Sequence, residues 1–166
     1  MISEGSTLPG GKLMQMGANG PEAVDIASKL KGRKVVIFGL PGAYTGTCTT
    51  AHVPSFIRTK AKFDAKGVDE IICLSVNDPF VMKAWGESTG ATAAGITMLG
   101  DSDSSFTKAI GMTLNVPHIG LIDRSKRYAL YAVDGVVKVF HHGDESGQCE
   151  ISGGEAQLAA NEANCV

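Results

Sequence analysis

The chain has 166 residues, of which 43% are hydrophobic and 19% charged, and its formal net charge is −2 at neutral pH. This length suits a single domain over residues 1–166, and the composition is ordinary for a globular protein. The small negative charge argues against nucleic acid or an anionic membrane as a partner, and no apolar run approaches the length of a membrane span.

The N-terminal residues and the cysteines bear on where the protein works. Residues 1–12 carry an acid at Glu4 and no apolar core, so they resemble neither a secretory signal nor an Arg-rich transit peptide. The four cysteines, at positions 48, 73, 149 and 165, form no C-x-x-C pair and have no metal-ligand spacing. They are typical of separate thiols in a reducing compartment. We therefore expect a cytoplasmic protein without a metal site.

The first half of the chain predicts a hairpin, a strand and a helix. Scattered glycines among short apolar pieces predict a loose N-terminal hairpin and then a brief helical turn near Ala23–Leu30. The β-branched and apolar run Lys34–Leu40 is typical of a buried strand. Beyond a Gly/Pro/Thr loop, apolar residues recur at helical spacing up to Lys66, and Gly67 supplies the stop. Pro54 lies inside this predicted helix, where its missing N–H predicts a kink.

The second half alternates strands with helices and ends in a hairpin and a last helix. The strands that we predict are Glu70–Val76, Ile96–Leu99, Ile119–Ile122, Tyr128–Val133 and Val136–Phe140. The predicted helices begin at Asn77-Asp78-Pro79, at Ser104 and at the capping box Ser152-Gly-Gly-Glu155. Asp134-Gly135 predicts a tight hairpin turn. This order predicts an α/β fold in which a mixed central sheet is flanked by helices on both faces.

Cys48 lies where a predicted strand hands over to a predicted helix. The first turn of a helix presents unpaired N–H groups and the positive end of the helix dipole, which favour a thiolate over a thiol. Thr45 offers a hydroxyl to the sulfur or to a bound ligand, and Pro41 makes the entry of the loop rigid. The position alone leaves two interpretations open, a reactive thiolate or an inert buried thiol.

The motif P-x-x-x-T-x-x-C that begins at Pro41 resembles the peroxidatic-cysteine motif of peroxiredoxins. The surrounding sequences P-G-A-Y-T and H-V-P-S-F are similar to the type II, or peroxiredoxin-5, branch. The segments Cys73–Gly86 (C-L-S-V-N-D-P-F-V-M-K-A-W-G) and Ser125–Tyr128 (S-K-R-Y) resemble the same branch. The likeness extends over roughly residues 5–160, so it covers the whole domain. It implies a thioredoxin-like fold with the N-terminal extension of peroxiredoxins, and it makes the Pro, Thr and Cys of the motif catalytic residues.

The resemblance also implies an activity and further site residues. Peroxiredoxins reduce hydrogen peroxide and alkyl hydroperoxides without metal, haem or flavin. Cys48 is then the attacking thiolate, and Arg127 matches the family's catalytic arginine. The backbone N–H groups of Thr47 and Cys48, the hydroxyl of Thr45 and the guanidinium of Arg127 are the expected hydrogen-bond donors to the peroxide. Gly46 departs from the family, which usually has proline there, and predicts a softer active-site loop.

The sequence leaves open how oxidised Cys48 returns to the thiol. A sulfenic acid must be reduced by another thiol. Cys73 has the spacing at which some type II relatives carry a resolving cysteine, but its all-apolar strand predicts a buried thiol. Cys149 lies in the loop G-D-E-S-G-Q-C, slightly offset from the usual resolving position of the family. We therefore favour glutathione or glutaredoxin as reductant, with thioredoxin acting on an internal disulfide as the alternative.

Other classes of protein compete with this interpretation. A non-catalytic thioredoxin-like binding or chaperone module has no need of Thr45, Cys48 and Arg127 together, and a disulfide oxidoreductase requires C-x-x-C, which this chain lacks. His52 shares a helical face with Cys48, but a Cys–His hydrolase or a metal site needs an acidic group or further ligands that the neighbouring sequence lacks. From the family resemblance we expect a homodimer.

Overall fold

The computed structural model describes residues 1–46, 48–142 and 153–164, and for Cys48, Thr50 and residues 162–164 it describes the backbone alone. The strands are β1 (Lys12–Gly17), β2 (Gly20–Asp25), β3 (Lys34–Leu40), β4 (Glu70–Ser75), β5 (Thr97–Gly100), β6 (Thr113–Val116), β7 (Leu121–Ser125), β8 (Tyr128–Val133) and β9 (Val136–His142). The helices are α1 (Ile26–Leu30), α2 (Val53–Ala65), α3 (Pro79–Thr89), α4 (Ser105–Ala109) and α5 (Gly154–Asn164). A π-helical turn (Cys48–His52) precedes α2, and a 3₁₀ turn (Pro117–Ile119) precedes β7.

A seven-stranded sheet with the order β2-β1-β5-β4-β3-β8-β9 forms the centre of the described structure. β3, β4 and β5 are parallel, and their nearly continuous apolar sequences suit strands that are buried on both faces. β8 pairs antiparallel with β3, and the remaining strands extend the sheet in antiparallel fashion. β6 and β7 form a separate two-stranded ribbon.

The sheet separates two hydrophobic layers. Side chains alternate along β3, so Phe38 packs with Phe56 of α2 and Trp85 of α3, whereas Ile37 belongs to the layer that contains Phe106 of α4. The rings of Phe38 and Phe56 are stacked with their centroids 4.1 Å apart. This is the predicted mixed sheet with helices on both faces. Within the described ranges, none of the helices is long and apolar enough to cross a membrane.

Local sequence signals located most elements well. β3 has its predicted bounds, and α3 follows its expected cap, since the side chain of Asp78 accepts from the N–H of Val81 at 2.9 Å. Asp134 and Gly135 have φ of 51° and 76°, as the tight turn between β8 and β9 requires. The predicted cap at Ser152 lies outside the described residues.

The ribbon of β6 and β7 is where the prediction of strands was wrong. A strand was predicted over Ile119–Ile122, but the chain forms a 3₁₀ turn there, passes through Gly120 with φ of 82°, and only then enters β7. The apolar pattern misled because the two isoleucines are 64% and 56% exposed and do not belong to the core.

The helix after the active-site loop also differs from its prediction. The turn that begins at Cys48 is a π helix, and the α-helix starts only at Val53. Pro54, in the first turn of α2, has no N–H to donate to the carbonyl four residues earlier. The wider π turn accommodates that loss, and such single turns are frequent at functional sites.

Candidate active site

The loop that leaves β3 begins the candidate active site at the carboxyl end of the parallel strands. Pro41 and Gly42 are buried, and the N–H of Ala43 donates to Asn77 Oδ1 at 3.0 Å, which joins the loop to the segment after β4. Tyr44 adopts the left-handed region, with φ of 64°. This edge of the sheet is where open α/β proteins bind their ligands.

The same loop directs the hydroxyl of Thr45. Its Oγ1 donates to the carbonyl oxygen of Gly42 at 2.7 Å, and its backbone N–H donates to that carbonyl at 3.3 Å. Because a hydroxyl has a single proton, Thr45 in this arrangement offers a bound group an acceptor lone pair. A donor role towards the peroxide, which we predicted for Thr45, requires the hydroxyl to turn away from Gly42.

The π turn carries Cys48 and is joined to the loop. Cys48 opens the turn, and the N–H of Thr49 donates to the carbonyl oxygen of Thr45 at 3.1 Å. The start of the helical segment therefore follows the loop directly, where unpaired N–H groups favour a negative charge. Thr47, an expected N–H donor, lies outside the described residues.

His52, the last residue of the π turn, meets Arg127. Both side chains are buried, with 0% and 4% exposure, and Arg127 Nη1 lies 2.9 Å from His52 Nδ1. A guanidinium has no acceptor atom, so Nδ1 accepts and the proton of the neutral ring is on Nε2. The imidazole packs beside the stacked rings of Phe38 and Phe56, whose centroids are 5.1 and 5.7 Å away. The sequence analysis considered His52 only as a partner of Cys48 or as a metal ligand, and so missed this contact.

Arg127 is placed by the start of β8. Its neighbour Tyr128 belongs to the opposite hydrophobic layer, where its ring covers Gly39 so closely that any Cβ there would overlap it. Burial raises the pKa of the Tyr128 phenol far above its ordinary value, and the nearby Asp101 and Cys73 act in the same direction. The tyrosine is therefore a neutral packing residue that anchors the strand from which Arg127 reaches His52.

Comparison with known proteins identifies the family. The chain matches the family described as Redoxin over residues 3–158. It is 42% identical over 160 residues to Peroxiredoxin-2C of Oryza sativa subsp. japonica, a match that covers 96% of this chain and 98% of the rice protein. The chain is a peroxiredoxin of the type II branch.

Two further relatives agree with this assignment. The peroxiredoxin is 46% identical over 141 residues to the chloroplastic Peroxiredoxin-2E-2 of the same rice, covering 84% of this chain and 62% of the longer relative. The crystal structure of reduced Prx3 from Vibrio vulnificus in complex with H₂O₂ has a TM-score of 0.89 and 42% identity, over 96% of this chain and 99% of that chain. The expected family, thioredoxin-like fold and general activity of a peroxiredoxin-type peroxidase are thereby confirmed.

Cys73 lies in the central sheet of the peroxiredoxin. Cys73 is fully buried in the middle of β4, in register with Phe38 of β3 on one side and Met98 of β5 on the other. Cys149 and Cys165 lie outside the described residues. In the described ranges, no group of three or more His, Cys, Asp or Glu side chains is arranged to hold a metal ion.

Trp85 adds a contact that the sequence analysis did not foresee. Its Nε1–H donates to Thr49 Oγ1 at 3.1 Å. The indole is fully buried, and its ring centroid lies 6.4 Å from that of Tyr44 in the loop. α3 is thus joined to the turn that Cys48 opens.

Gly46 is exposed, and a Cβ there would meet no atom within 4 Å.

Proposed function

We propose that this peroxiredoxin reduces hydrogen peroxide and organic hydroperoxides through a sulfenic acid at Cys48. The thiolate attacks one peroxide oxygen, an S–O bond forms while the O–O bond breaks, and the departing oxygen takes up a proton and leaves as water or an alcohol. The sulfur is oxidised and the peroxide is reduced. The observation that carries this proposal is the buried contact of Arg127 with His52, the last residue of the turn that Cys48 opens.

Arg127, Thr45 and two backbone N–H groups have separate roles in this chemistry. The N–H groups of Arg127 other than the one given to His52 favour the thiolate and stabilise the charge on the departing oxygen. Thr45 Oγ1 accepts the O–H of the peroxide, because its own proton is given to Gly42. The backbone N–H groups of Thr47 and Cys48 complete the set of donors. The complex of Vibrio vulnificus Prx3 with H₂O₂ supports a hydroperoxide as the substrate class.

We propose glutathione or glutaredoxin as the reductant of the sulfenic acid. Cys73 is fully buried between two paired strands, and a disulfide requires Cα atoms within about 7 Å of each other. Because its thiol is enclosed in the sheet, we expect that a disulfide with Cys48 would require the central strands to separate. Cys149 is the other internal candidate, and the alternative is thioredoxin acting on a Cys48–Cys149 or Cys48–Cys73 disulfide.

A homodimer that covers the rim of the active site is the assembly that we propose. Four large apolar side chains are between 56% and 64% exposed, namely Tyr44 of the active-site loop, Phe80, Ile119 and Ile122. Exposed apolar patches of this kind mark protein interfaces. Sedimentation should show a dimer, and Ile122→Lys should shift it towards the monomer. A parent protein that sediments as a monomer would exclude this assembly.

For the compartment we propose the cytoplasm. The support is the pattern of separate cysteines, including Cys73, whose thiol lies in the centre of the sheet. Cell fractionation followed by immunoblotting tests this, and enrichment in an organelle would contradict it.

The proposed function is tested by peroxide-dependent turnover coupled either to glutathione with glutaredoxin or to thioredoxin with its reductase. Cys48→Ser should abolish turnover with both, because a hydroxyl is not ionised at neutral pH. Arg127→Gln should slow the first oxidation about a hundredfold, as loss of one preorganised donor typically does. Arg58→Gln, which removes a 59% exposed guanidinium paired with Glu155, is the control and should leave the rate unchanged. Substantial turnover by Cys48→Ser would refute the proposal.

A further inference from the structure

Arg124 contacts the active-site loop from the ribbon outside the central sheet. Its Nη1 donates to the carbonyl oxygen of Pro41 at 3.2 Å. The same guanidinium covers the buried Gly42 so closely that a Cβ there would overlap Nη1. Arg124 therefore touches both residues of the Pro41–Gly42 peptide.

The backbone before Arg124 is irregular in a way that directs this contact. β6 and β7 shift register opposite this segment, and Asp123 has φ of 51°, in the left-handed region that few residues other than glycine adopt. The N–H of Asp123 donates to Asn115 Oδ1 at 2.8 Å, and its carboxylate pairs with Lys108 at 3.2 Å. Bulges and strained residues held in this manner re-aim side chains beside functional sites.

The peptide that Arg124 contacts leads directly to Thr45. The next carbonyl along the chain, that of Gly42, accepts from both Oγ1 and N–H of Thr45, at 2.7 and 3.3 Å. This carbonyl shares its peptide plane with the N–H of Ala43, which donates to Asn77 Oδ1 at 3.0 Å. The torsions of Gly42 join that plane to the Pro41–Gly42 peptide, and glycine leaves these torsions free unless both planes are held. The hydrogen bond from Arg124 holds the Pro41–Gly42 plane.

We propose that Arg124 is a positioning residue of the peroxidase reaction, which holds the Pro41–Gly42 peptide so that the Thr45 hydroxyl meets the peroxide attacked by Cys48. It acts through Gly42 and Thr45, whereas Arg127 acts on the reacting atoms. Its contribution is the hydrogen bond to Pro41 rather than its positive charge. This inference rests on the proposed chemistry of Cys48.

Arg124→Met tests the inference by removing the donor while keeping much of the side-chain length. We expect the second-order rate of sulfenic acid formation with H₂O₂ to fall between about tenfold and a hundredfold, the usual range for a misplaced catalytic group. The fall should persist at a pH where the thiol is fully ionised, because the defect is in alignment. Arg124→Lys, whose ammonium can also donate to Pro41, should recover part of the rate. The matched control is Lys126→Met, which removes an exposed positive charge from the same cluster and should stay within about twofold of the parent.

Gly42→Ala tests the same contact without removing a charge. The added methyl group displaces the guanidinium and also meets Cγ2 of Thr45 at 3.3 Å, so the rate should fall at least as far as in Arg124→Met while circular dichroism shows a folded protein. The proposal is overturned if Arg124→Met is as fast as the parent, if Lys126→Met is equally slow, or if the loss disappears at high pH. A parent protein that forms no sulfenic acid at Cys48 would contradict the proposed function itself, whereas an active parent with an unaffected Arg124→Met contradicts only the role of Arg124.

Discussion

The Nδ1 atom of His52 lies 2.9 Å from Nη1 of Arg127, across a separation of 75 residues in the chain. His52 packs beside the stacked rings of Phe38 and Phe56, which limit the rotation of its imidazole and so the direction of its acceptor atom. A buried guanidinium that lacks an acceptor is costly. The histidine therefore stabilises Arg127 in the interior and fixes the direction of Nη1.

Replacing His52 should disturb the reaction through Arg127. His52→Phe keeps an aromatic ring but removes the acceptor, so we expect the oxidation of Cys48 to slow by about tenfold or more. The folded state should lose about 1–3 kcal/mol, since a donor of Arg127 is left without its partner. Stopped-flow oxidation with H₂O₂ and unfolding in urea measure the two effects.

His52→Asn is the matched variant, because its side-chain oxygen can accept near the position of Nδ1. It should retain most of the oxidation rate that the phenylalanine variant loses. Equal rates in His52→Phe and the parent would show that Arg127 does not depend on this contact.

Trp85 should report on the state of the active-site turn. It is the single tryptophan of the chain, and its indole N–H donates to Thr49 next to Cys48. Oxidation of Cys48 should therefore change the tryptophan emission at the same rate as sulfenic acid forms. Thr49→Val, which removes the acceptor, should reduce the amplitude, and Thr113→Val in β6 is the control. An emission unchanged by peroxide would show that the turn is not coupled to α3.

Glu70, at the opposite end of the parallel strands, should govern part of the stability in acid. Its carboxylate accepts hydrogen bonds from Lys29 Nζ and Arg33 Nη1, each at 2.8 Å, and from the hydroxyl of Thr97. Burial alone raises the pKa of Glu70, but these hydrogen bonds from Lys29, Thr97 and Arg33 outweigh it and hold the pKa below the ordinary value of 4.5. The folded state thus binds this proton less readily than the unfolded state. The resulting stabilisation is complete above pH 4.5 and is lost as the pH falls through the lowered value.

Glu70→Gln should consequently lower the free energy of unfolding at pH 7 by about 1–3 kcal/mol. It should also make the decline in stability below pH 4.5 shallower than in the parent. Urea unfolding followed by circular dichroism at several pH values measures both. Glu87→Gln removes a 57% exposed carboxylate paired with Lys83 and should change stability by less than about 0.5 kcal/mol. Parallel pH profiles for Glu70→Gln and the parent would contradict this role of Glu70.

Sequence reasoning succeeded where the physical signal is local. A proline after an acidic cap predicts the start of a helix at Asp78, and Asp134-Gly135 predicts a hairpin turn, because each depends on a few neighbouring torsions and hydrogen bonds. The motif around Cys48 located the candidate site by resemblance. The π turn was missed because the apolar spacing of α2 does not distinguish it from an α-helical turn.

The contacts that complete the site are long-range, and no local pattern encodes them. His52 meets Arg127, Trp85 meets Thr49, and Arg124 reaches the loop only once the sheet has formed. The family resemblance identified Arg127, but no spacing in the sequence predicts which side chain it contacts. The exposed isoleucines near Gly120 show the reverse error, since apolar residues at a surface imitate a buried strand.

The last prediction concerns how the oxidised enzyme is recycled. Cys73→Ala should leave glutaredoxin-supported turnover within about twofold of the parent, because a thiol enclosed between β3 and β5 takes no part in it. The same variant should lose about 1 kcal/mol of stability, since the smaller side chain leaves space in a packed core. Cys149→Ser should likewise remain within about twofold. Mass spectrometry after one equivalent of peroxide provides the decisive measurement. We expect a sulfenic acid at Cys48, which a sulfenic acid reagent labels. Glutathione added in place of the reagent should give a mixed disulfide with Cys48. A Cys48–Cys149 or Cys48–Cys73 disulfide that forms faster than the reagent reacts would instead make thioredoxin the reductant.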